Sequence, residues 1–363
     1  MTAHPSAPRC IYREVPSYGD ARALLISSDF ALPPISAAEL ADSGLSDQQI
    51  GAVLLYHRNM LARIRCSYPF DPERRKLQAM VRRYQMGAFA AVHEHAMRAT
   101  FEGVMRHHPA GAPLPVESAL ATPLALAAFN SLLGLNFRVE QLGNSLAVGY
   151  KALVTGLPVS EMLEGWLSYR PVVTAVDQAV TTGSYTANGL LAELLKFASE
   201  NDRPRDFILM SCAIIMIAGT SLNRSLASIL RSALDDPEIG EAIRGDDPDA
   251  AFEELMRLHP PLPTIFRYHP EESTSGCKMF SMIDIGTANR DVAQFEEPDR
   301  FQPGRKRTAA LTFGIGPYAC DGVPMTRVYL RESVRALLTR TRGLKLIDKD
   351  GDTPAVITFD RFE

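Results

Sequence analysis

The sequence is short of cysteine, has a single tryptophan and carries no strong charge of either sign. Its 363 residues include five cysteines, Cys10, Cys66, Cys212, Cys277 and Cys320. They are odd in number, far apart and without a CxxC pair, which argues against a disulfide framework and suits a reducing compartment. A formal net charge of −4 gives no basis for nucleic-acid binding. There is no internal repeat and no low-complexity tract. No apolar h-region follows Met1, so no secretory signal is expected. The longest apolar stretches are Ala119–Leu135, interrupted by Pro123 and Asn130, and Phe207–Gly219. Both predict buried core helices rather than membrane spans. Together these absences point to a soluble, cytoplasmic protein.

What is present is enough apolar material, 46% of residues, to bury a large core. Asp71–Glu94 carries apolar residues at helical spacing among arginines, which predicts one helix. Pro115–Leu135 predicts another, ending near Gly134. Ala187–Ser199 and Phe207–Leu234 follow, separated by a polar stretch. Pro248–Leu258 has Asp247 placed as N-cap and Pro248 at its first position, and Pro260-Pro261 stops it. From Pro261 to Pro303 the chain is rich in Pro, Gly, Asp and Ser, which predicts short strands and coil. Pro324–Thr339 predicts the last helix, and Asp350-Gly351 marks a turn between two C-terminal strands. The expected fold is mainly α with a small β portion (α+β), one domain over residues 1–363, with 1–11 a disordered tail. His93-x-His95 sits on a predicted helix, where i and i+2 do not face each other, so it is not expected to hold a metal. His107-His108 is expected at a helix end and Trp166 in the core.

The chemistry concentrates in Phe313-Gly314-Ile315-Gly316-Pro317-Tyr318-Ala319-Cys320-Asp321-Gly322. Three glycines around one cysteine, just before a helix, describe a tight loop presenting a thiol. A thiolate at a helix N-terminus is favoured by free N–H groups and the helix dipole. This loop resembles the cytochrome P450 signature FGxGxHxCxG, matching at Phe313, Gly314, Gly316, Cys320 and Gly322, with Tyr318 in place of the basic residue. Glu254-Leu-Met-Arg257 is similar to the family's ExxR pair. Ala288-Asn289-Arg290-Asp291 with Phe295 looks like its ANRDPxxF stretch, and Pro298-Asp299-Arg300-Phe301-Gln302-Pro303-Gly304-Arg305 like its PxRFxPxR meander. Val15–Leu25 resembles an early helix of the family and Asp71-Pro72-Glu73-Arg74 the start of its C-helix.

The resemblance implies the triangular-prism fold of the family. It implies haem b (iron protoporphyrin IX) with Cys320 as iron ligand, and thiolate ligation favours O–O cleavage. It further implies a structural triad of Glu254, Arg257 and Arg300, and propionate partners at Arg74, Gln78, Arg267 and Tyr318. Arg74 is equally read as a surface charge of an arginine-rich helix. The run Ile214 to Asn223 looks like the family's AGxETT segment, which places Gly219, Thr220 and Ser221 at the catalytic position. Ala218 and Gly219 match, and a small residue there leaves room for a ligand on iron. The acid position is Ser221 and the alcohol position Leu222. The family uses that pair to deliver protons, and leucine cannot do so. Thr220 or Ser221 can substitute if the helix is locally distorted; otherwise they are ordinary polar groups bonding back to carbonyls.

Arg305, Lys306, Arg307, Arg327 and Arg331 flank the loop. The resemblance implies a ferredoxin docking on this basic face; a solvated charge run is the alternative. The function expected is oxidation of a small, largely apolar natural-product intermediate with atypical proton delivery. One alternative is a haem-thiolate peroxygenase, dehydratase or isomerase that uses no dioxygen. Another is a haem-free helper of a partner such as a glycosyltransferase, against which Cys320 argues.

Overall fold

The computed structural model describes residues 9–27, 34–51, 53–54, 72–149, 159–274, 277–305, 310–316, 319–347 and 355–363. Strand β1 (Arg9–Val15) leads into α1 (Tyr18–Ile26) and α2 (Ala37–Asp42). Helices α3 (Pro72–Arg83) and α4 (Ala88–His107) follow, then β2 (Leu114–Pro115), a π-helical turn (Val116–Ala121) and α5 (Thr122–Leu133). Next come α6 (Val139–Gly149), α7 (Val159–Thr182), α8 (Leu190–Glu200), α9 (Arg205–Thr220), α10 (Leu222–Asp235), α11 (Pro237–Arg244) and α12 (Pro248–Leu258). Strands β3 (Thr264–Tyr268) and β4 (Cys277–Asp284) precede α13 (Ile285–Ala288). After the cysteine loop come α14 (Val323–Leu330), a second π-helical turn (Arg331–Arg335) and α15 (Ala336–Arg340). The chain ends in β5 (Thr341–Arg342), β6 (Lys345–Leu346), β7 (Val356–Thr358) and β8 (Arg361–Phe362). The mainly helical expectation holds.

Two apolar clusters form. The larger joins the helices, with Met97, Phe101, Leu124, Met216, Leu255 and Leu337 essentially without exposed surface. Each such side chain contributes about 1.5–3 kcal/mol by burial. The smaller joins β1, α1 and β4 to the loop segments through Val15, Tyr18, Leu25, Ile283, Phe295 and Leu311. Among the described residues, two stretches are long and apolar enough to cross a membrane, Val116–Leu133 and Arg205–Asp235, and 61% and 67% of their apolar windows are buried in the molecule. Trp166 is buried in the larger cluster.

Local chemistry explains the boundaries. Asp247 accepts from the Ala250 N–H at 3.2 Å to cap α12, and Gly134 ends α5 in the left-handed region at φ 75°. The predicted helix Asp71–Glu94 is instead two helices. Gly87, at φ 59°, precedes α4, and His93 Nε2 donates to the Tyr84 carbonyl at 2.6 Å beyond the end of α3. The other His93 ring nitrogen meets Ser131 Oγ at 2.7 Å, so this histidine ties helices together. No cluster of metal-binding side chains occurs among the described residues. Phe207–Leu234 is likewise two helices, broken at Ser221. Helix α7, which contains Pro171, has no counterpart among the predicted elements.

The tail expected over 1–11 needs correction. Arg9, Cys10 and Ile11 pair in parallel with Cys277, Lys278 and Met279 of β4, because a strand edge offers N–H and C=O partners that a tail would otherwise leave to water. Residues 1–8 lie outside the described residues. Strand β3 pairs antiparallel with β4, Thr264 opposite Asp284 through Tyr268 opposite Phe280. The expected C-terminal pair exists as β6 and β7; its Asp350-Gly351 turn lies outside the described residues.

One buried network holds the cysteine loop to this frame. Arg257 Nε and Nη2 donate to the two Glu254 carboxylate oxygens at 2.9 and 2.7 Å. Arg257 Nη1 donates to the carbonyls of Asn289 and Pro298, both at 2.7 Å. Asn289, fully buried, donates to the Arg257 carbonyl at 3.2 Å and to Thr312 Oγ1 at 3.0 Å, and accepts from the Leu311 N–H at 2.7 Å. The third charged member of the expected triad is not Arg300. That side chain is 64% exposed and pairs with Glu297; only its carbonyl turns inward, accepting from Arg305 Nη2 at 3.2 Å. Arg305 takes the place, with Nε 2.8 Å from Glu254 Oε1 and only 15% of its side chain exposed. A second acceptor oxygen shared by two guanidinium groups needs an inward side chain, and the turn at Pro303–Gly304 supplies it.

Two measurements follow from this frame. In urea unfolding, Arg257→Ala is expected to cost about 3–5 kcal/mol, because it leaves Glu254 a buried charge without its bidentate partner. Arg305→Ala should cost about 1–3 kcal/mol, and Arg300→Ala less than about 0.5 kcal/mol, as for exposed positions; equal effects of the last two would overturn the assignment. His259, at the C-cap of α12, bonds Ser232 Oγ through Nε2 at 2.9 Å. Burial, with Arg290 nearby, pushes its pKa from 6.5 down to about 4. The folded state then binds fewer protons than the unfolded chain, so the stability His259 lends is complete above pH 6.5 and is lost as pH falls toward 4. The unfolding midpoint should drop between pH 6.5 and 5, and His259→Gln should flatten that slope. His93, which burial also pushes down, contributes to the slope in the same direction.

Candidate active site

The cysteine loop is built from backbone constraints. Gly314 and Gly316 stand at φ 63° and 72°, the left-handed region that glycine enters without cost. At Gly316 a Cβ would also sit 3.2 Å from the Ile26 backbone of α1. The Cys320 N–H donates to the Phe313 carbonyl at 2.8 Å, closing the loop, and α14 starts two residues after Asp321.

Cys320 is a free thiol, exposed by area. Burial pushes its pKa up, the Gly322 N–H opposes this, Asp321 adds to it and Arg82 opposes it. The Gly322 N–H donates to Sγ at 3.2 Å. Arg82 of α3 pairs with Asp321 at 2.7 Å, joining α3 to the loop. A thiol raised in this way stays protonated without a metal; coordination removes the proton outright. An exposed soft sulfur donor, presented by a closed loop and already accepting one N–H, fits iron ligation.

The anionic edge of a haem needs cations or donors. Arg267 is 8% exposed on β3, a guanidinium withdrawn from water where a carboxylate suits it; it donates to the Phe266 carbonyl at 3.3 Å. Gln78 is partly buried on α3. Arg74 belongs to the same helix, but its side chain, like all of Tyr318, lies outside the described residues. Phe313 is partly buried against the larger core.

The distal helix segment has two faces. Ile214, Ile215, Ala218 and Leu222 are partly exposed and share one face at helical spacing. Thr220, Ser221 and Asn223 are buried. The Thr220 hydroxyl donates to the Ile217 carbonyl and the Ser221 hydroxyl to the Ala218 carbonyl, both at 2.8 Å. Such back-bonding bends helices, and Ser221 is where α9 gives way to α10. The open face is therefore apolar. Gly219 serves packing rather than ligand space: a Cβ there would lie 2.4 Å from Phe129 Cζ of α5. Ala218, on the partly exposed face, is the other small residue of the segment.

On the opposite side of the loop, the expected basic face is charge-paired. Arg327 meets Glu253 at 2.6 Å and Arg331 meets Asp249 at 3.6 Å. Arg305 is engaged with Glu254. Acids four apart on α12 match arginines four apart after the loop, so the cations are answered locally. Lys306 and Arg307 lie outside the described residues. Sequence reasoning missed Arg305 as a structural residue, although the meander carries two arginines, and gave Asn289 no role beyond its motif. Nothing in the sequence signalled Phe129.

The close approach of α5 and α9 generates a test. Gly219→Ala should destabilise the fold by about 1–3 kcal/mol through overpacking, read as a lower urea midpoint. Adding Phe129→Leu should recover much of that loss; independent, additive effects would show that the two positions do not share the space.

No protein-family profile matches the chain. It is 22% identical over 248 residues to the beta-dihydromenaquinone-9 omega-hydroxylase of Mycobacterium bovis, a match covering 65% of this chain and 51% of that protein. It is 31% identical over 172 residues to the 6-deoxyerythronolide B hydroxylase of Saccharopolyspora erythraea, covering 44% and 43%. The chain thus spans about half the length of the curated relatives it matches. Among solved structures, CalO2 superposes with a TM-score of 0.72 at 23% identity, covering 98% of this chain and 92% of that one. Epothilone B-bound cytochrome P450epoK gives 0.72 at 17% identity, covering 96% and 91%. The fold is that of the cytochrome P450 structures it superposes on, and the ordered motifs and these likenesses make the chain similar to proteins of the cytochrome P450 superfamily.

Proposed function

We propose that the protein is a haem-thiolate oxidoreductase that oxidises a small, largely apolar natural-product intermediate. The observation that carries this reading is the Cys320 loop, closed on the Phe313 carbonyl with Gly322 donating to the sulfur. Haem b held through Cys320 would supply the redox and oxygen chemistry. Cys320 binds the iron, Gly322 orients the sulfur, and Arg267, Arg74, Gln78 and Tyr318 are the groups assigned to the propionates. Ile214, Ile215, Ala218 and Leu222 offer an apolar surface that favours an apolar substrate. The natural-product character is supported by similarity to the 6-deoxyerythronolide B hydroxylase and to the erythromycin C-12 hydroxylase of Saccharopolyspora erythraea.

Proton delivery is the unusual part. With Leu222 at the alcohol position and both neighbouring hydroxyls bonded to carbonyls, protons reach the site through ordered water or from the substrate. Gly219, Thr220 and Ser221 then shape the helix and hold no transferable proton there. Electrons come from a ferredoxin, which would meet paired charge on the face carrying Arg305, Arg327 and Arg331. The localisation proposed is cytoplasmic. A second reading, favoured by Leu222 itself, is a peroxygenase, dehydratase or isomerase using the same thiolate-bound haem without dioxygen.

The reduced, carbon-monoxide-bound absorption spectrum tests the iron site. A thiolate-type Soret band is expected in the wild type and its loss in Cys320→Ser; a colourless wild-type protein, with haem supplied during expression, would sink the proposal. With a substrate in hand, Thr220→Val and Ser221→Ala should keep product formation within about threefold. A loss of about a hundredfold at unchanged haem content would make one of them a proton donor after all. Turnover with peroxide alone, or with no oxidant, would favour the second reading.

A further inference from the structure

Helix α14 leaves the cysteine loop and passes beneath the start of α10. Tyr329, the seventh residue of α14, is buried, and its hydroxyl donates to Asn223 Oδ1 at 2.9 Å, with the Ala121 carbonyl a second acceptor at 3.3 Å. Burial keeps the phenol protonated by pushing its pKa upward, and Glu117 adds to this. Asn223 is 7% exposed and lies one residue beyond Leu222, on the first turn of α10. A second tie sits two residues on, where Ser225 Oγ donates to the His259 carbonyl at the end of α12 at 2.8 Å.

The helix needs such ties. At Ser221 the regular ladder is interrupted: its N–H reaches the Ala218 carbonyl at 3.3 Å, and its own hydroxyl takes the same carbonyl. A carbonyl shared in this way leaves the bend angle poorly fixed from within the helix. The ends of the bend are held differently. Before it, Gly219 rests on the Phe129 ring. After it, Asn223 is held by a side chain on the helix that starts at the cysteine loop.

We propose that Asn223 and Tyr329 are a positioning pair that fixes the bend of the distal helix relative to the Cys320 loop and so sets the space bounded by Ala218 and Leu222. This rests on the haem-thiolate reading above. Neither residue touches substrate or iron; each acts through the helix. Loss of the buried hydrogen bond that fixes the bend is expected to weaken a ligand that needs the bend in its native position by roughly threefold to tenfold.

The test uses the haem-loaded full chain with carbon monoxide and imidazole as probes. Tyr329→Phe and Asn223→Ala should each keep the thiolate-type Soret band. Each should shift or broaden the carbon-monoxide stretching band and weaken imidazole binding threefold to tenfold. The double variant should be no worse than either single one, since both remove one link. Ser333→Ala is the control: it deletes the hydrogen bond from Ser333 Oγ to the Tyr329 carbonyl at 2.6 Å, on the same run of helix, without breaking the link to Asn223. It should lower stability and leave both probes unchanged. Wild-type probe values in Tyr329→Phe, or the same shift in Ser333→Ala, overturn the pair. A wild-type protein with no thiolate-type Soret band would instead remove the iron-site reading, and the inference with it.

Discussion

The arrangement depends on one buried guanidinium. Arg257 directs two N–H groups to Glu254 and the rest to three backbone carbonyls in two later segments. A buried charge is tolerated only when its donors are answered, and here the answers come from Asn289, Pro298 and Arg300, far along the chain. The Phe295 ring covers the guanidinium at 5.0 Å, a cation–π contact that also draws the smaller apolar cluster toward α12. Satisfying one arginine therefore places two irregular segments at once. The cysteine loop, which has no regular structure of its own, is held through Asn289 and Thr312 to the same frame.

Much of this was legible in the sequence, unevenly and for physical reasons. The ordered motifs identify the segments, and caps such as Asp247 and Gly134 carry their own chemistry. Which arginine of the meander folds inward was not legible, because spacing alone does not say that the chain turns between Arg300 and Arg305. The apolar period running through Asp71–Glu94 hid a break that depends on a single glycine and on His93 bonding across it. Strand β1 was missed because its stability comes from β4, far away in sequence. Helix α7 was missed with a proline inside its span, a residue that weakens any local helical signal.

In the candidate site, residue identity was readable and direction was not. Leu222 announces that no alcohol stands at that position. Whether Thr220 or Ser221 replaces it depends on which way each hydroxyl turns, and helix polar groups commonly turn toward the preceding carbonyls. Gly219 shows the same limit: a small residue matches the motif for ligand space, yet its free side is occupied by Phe129. A glycine records only that something approaches closely.

The matched ladder of Asp249, Glu253, Arg327 and Arg331 has a consequence for approach from that side. Opposite charges a few ångströms apart cancel beyond a short range, and at physiological salt the residue of their field fades within about 8 Å. A protein arriving there gains little guidance at a distance from these four groups. For a protein docking there, selection would rest on contour and on reordering of the pairs on contact, which is slower and less salt-sensitive than attraction between bare patches.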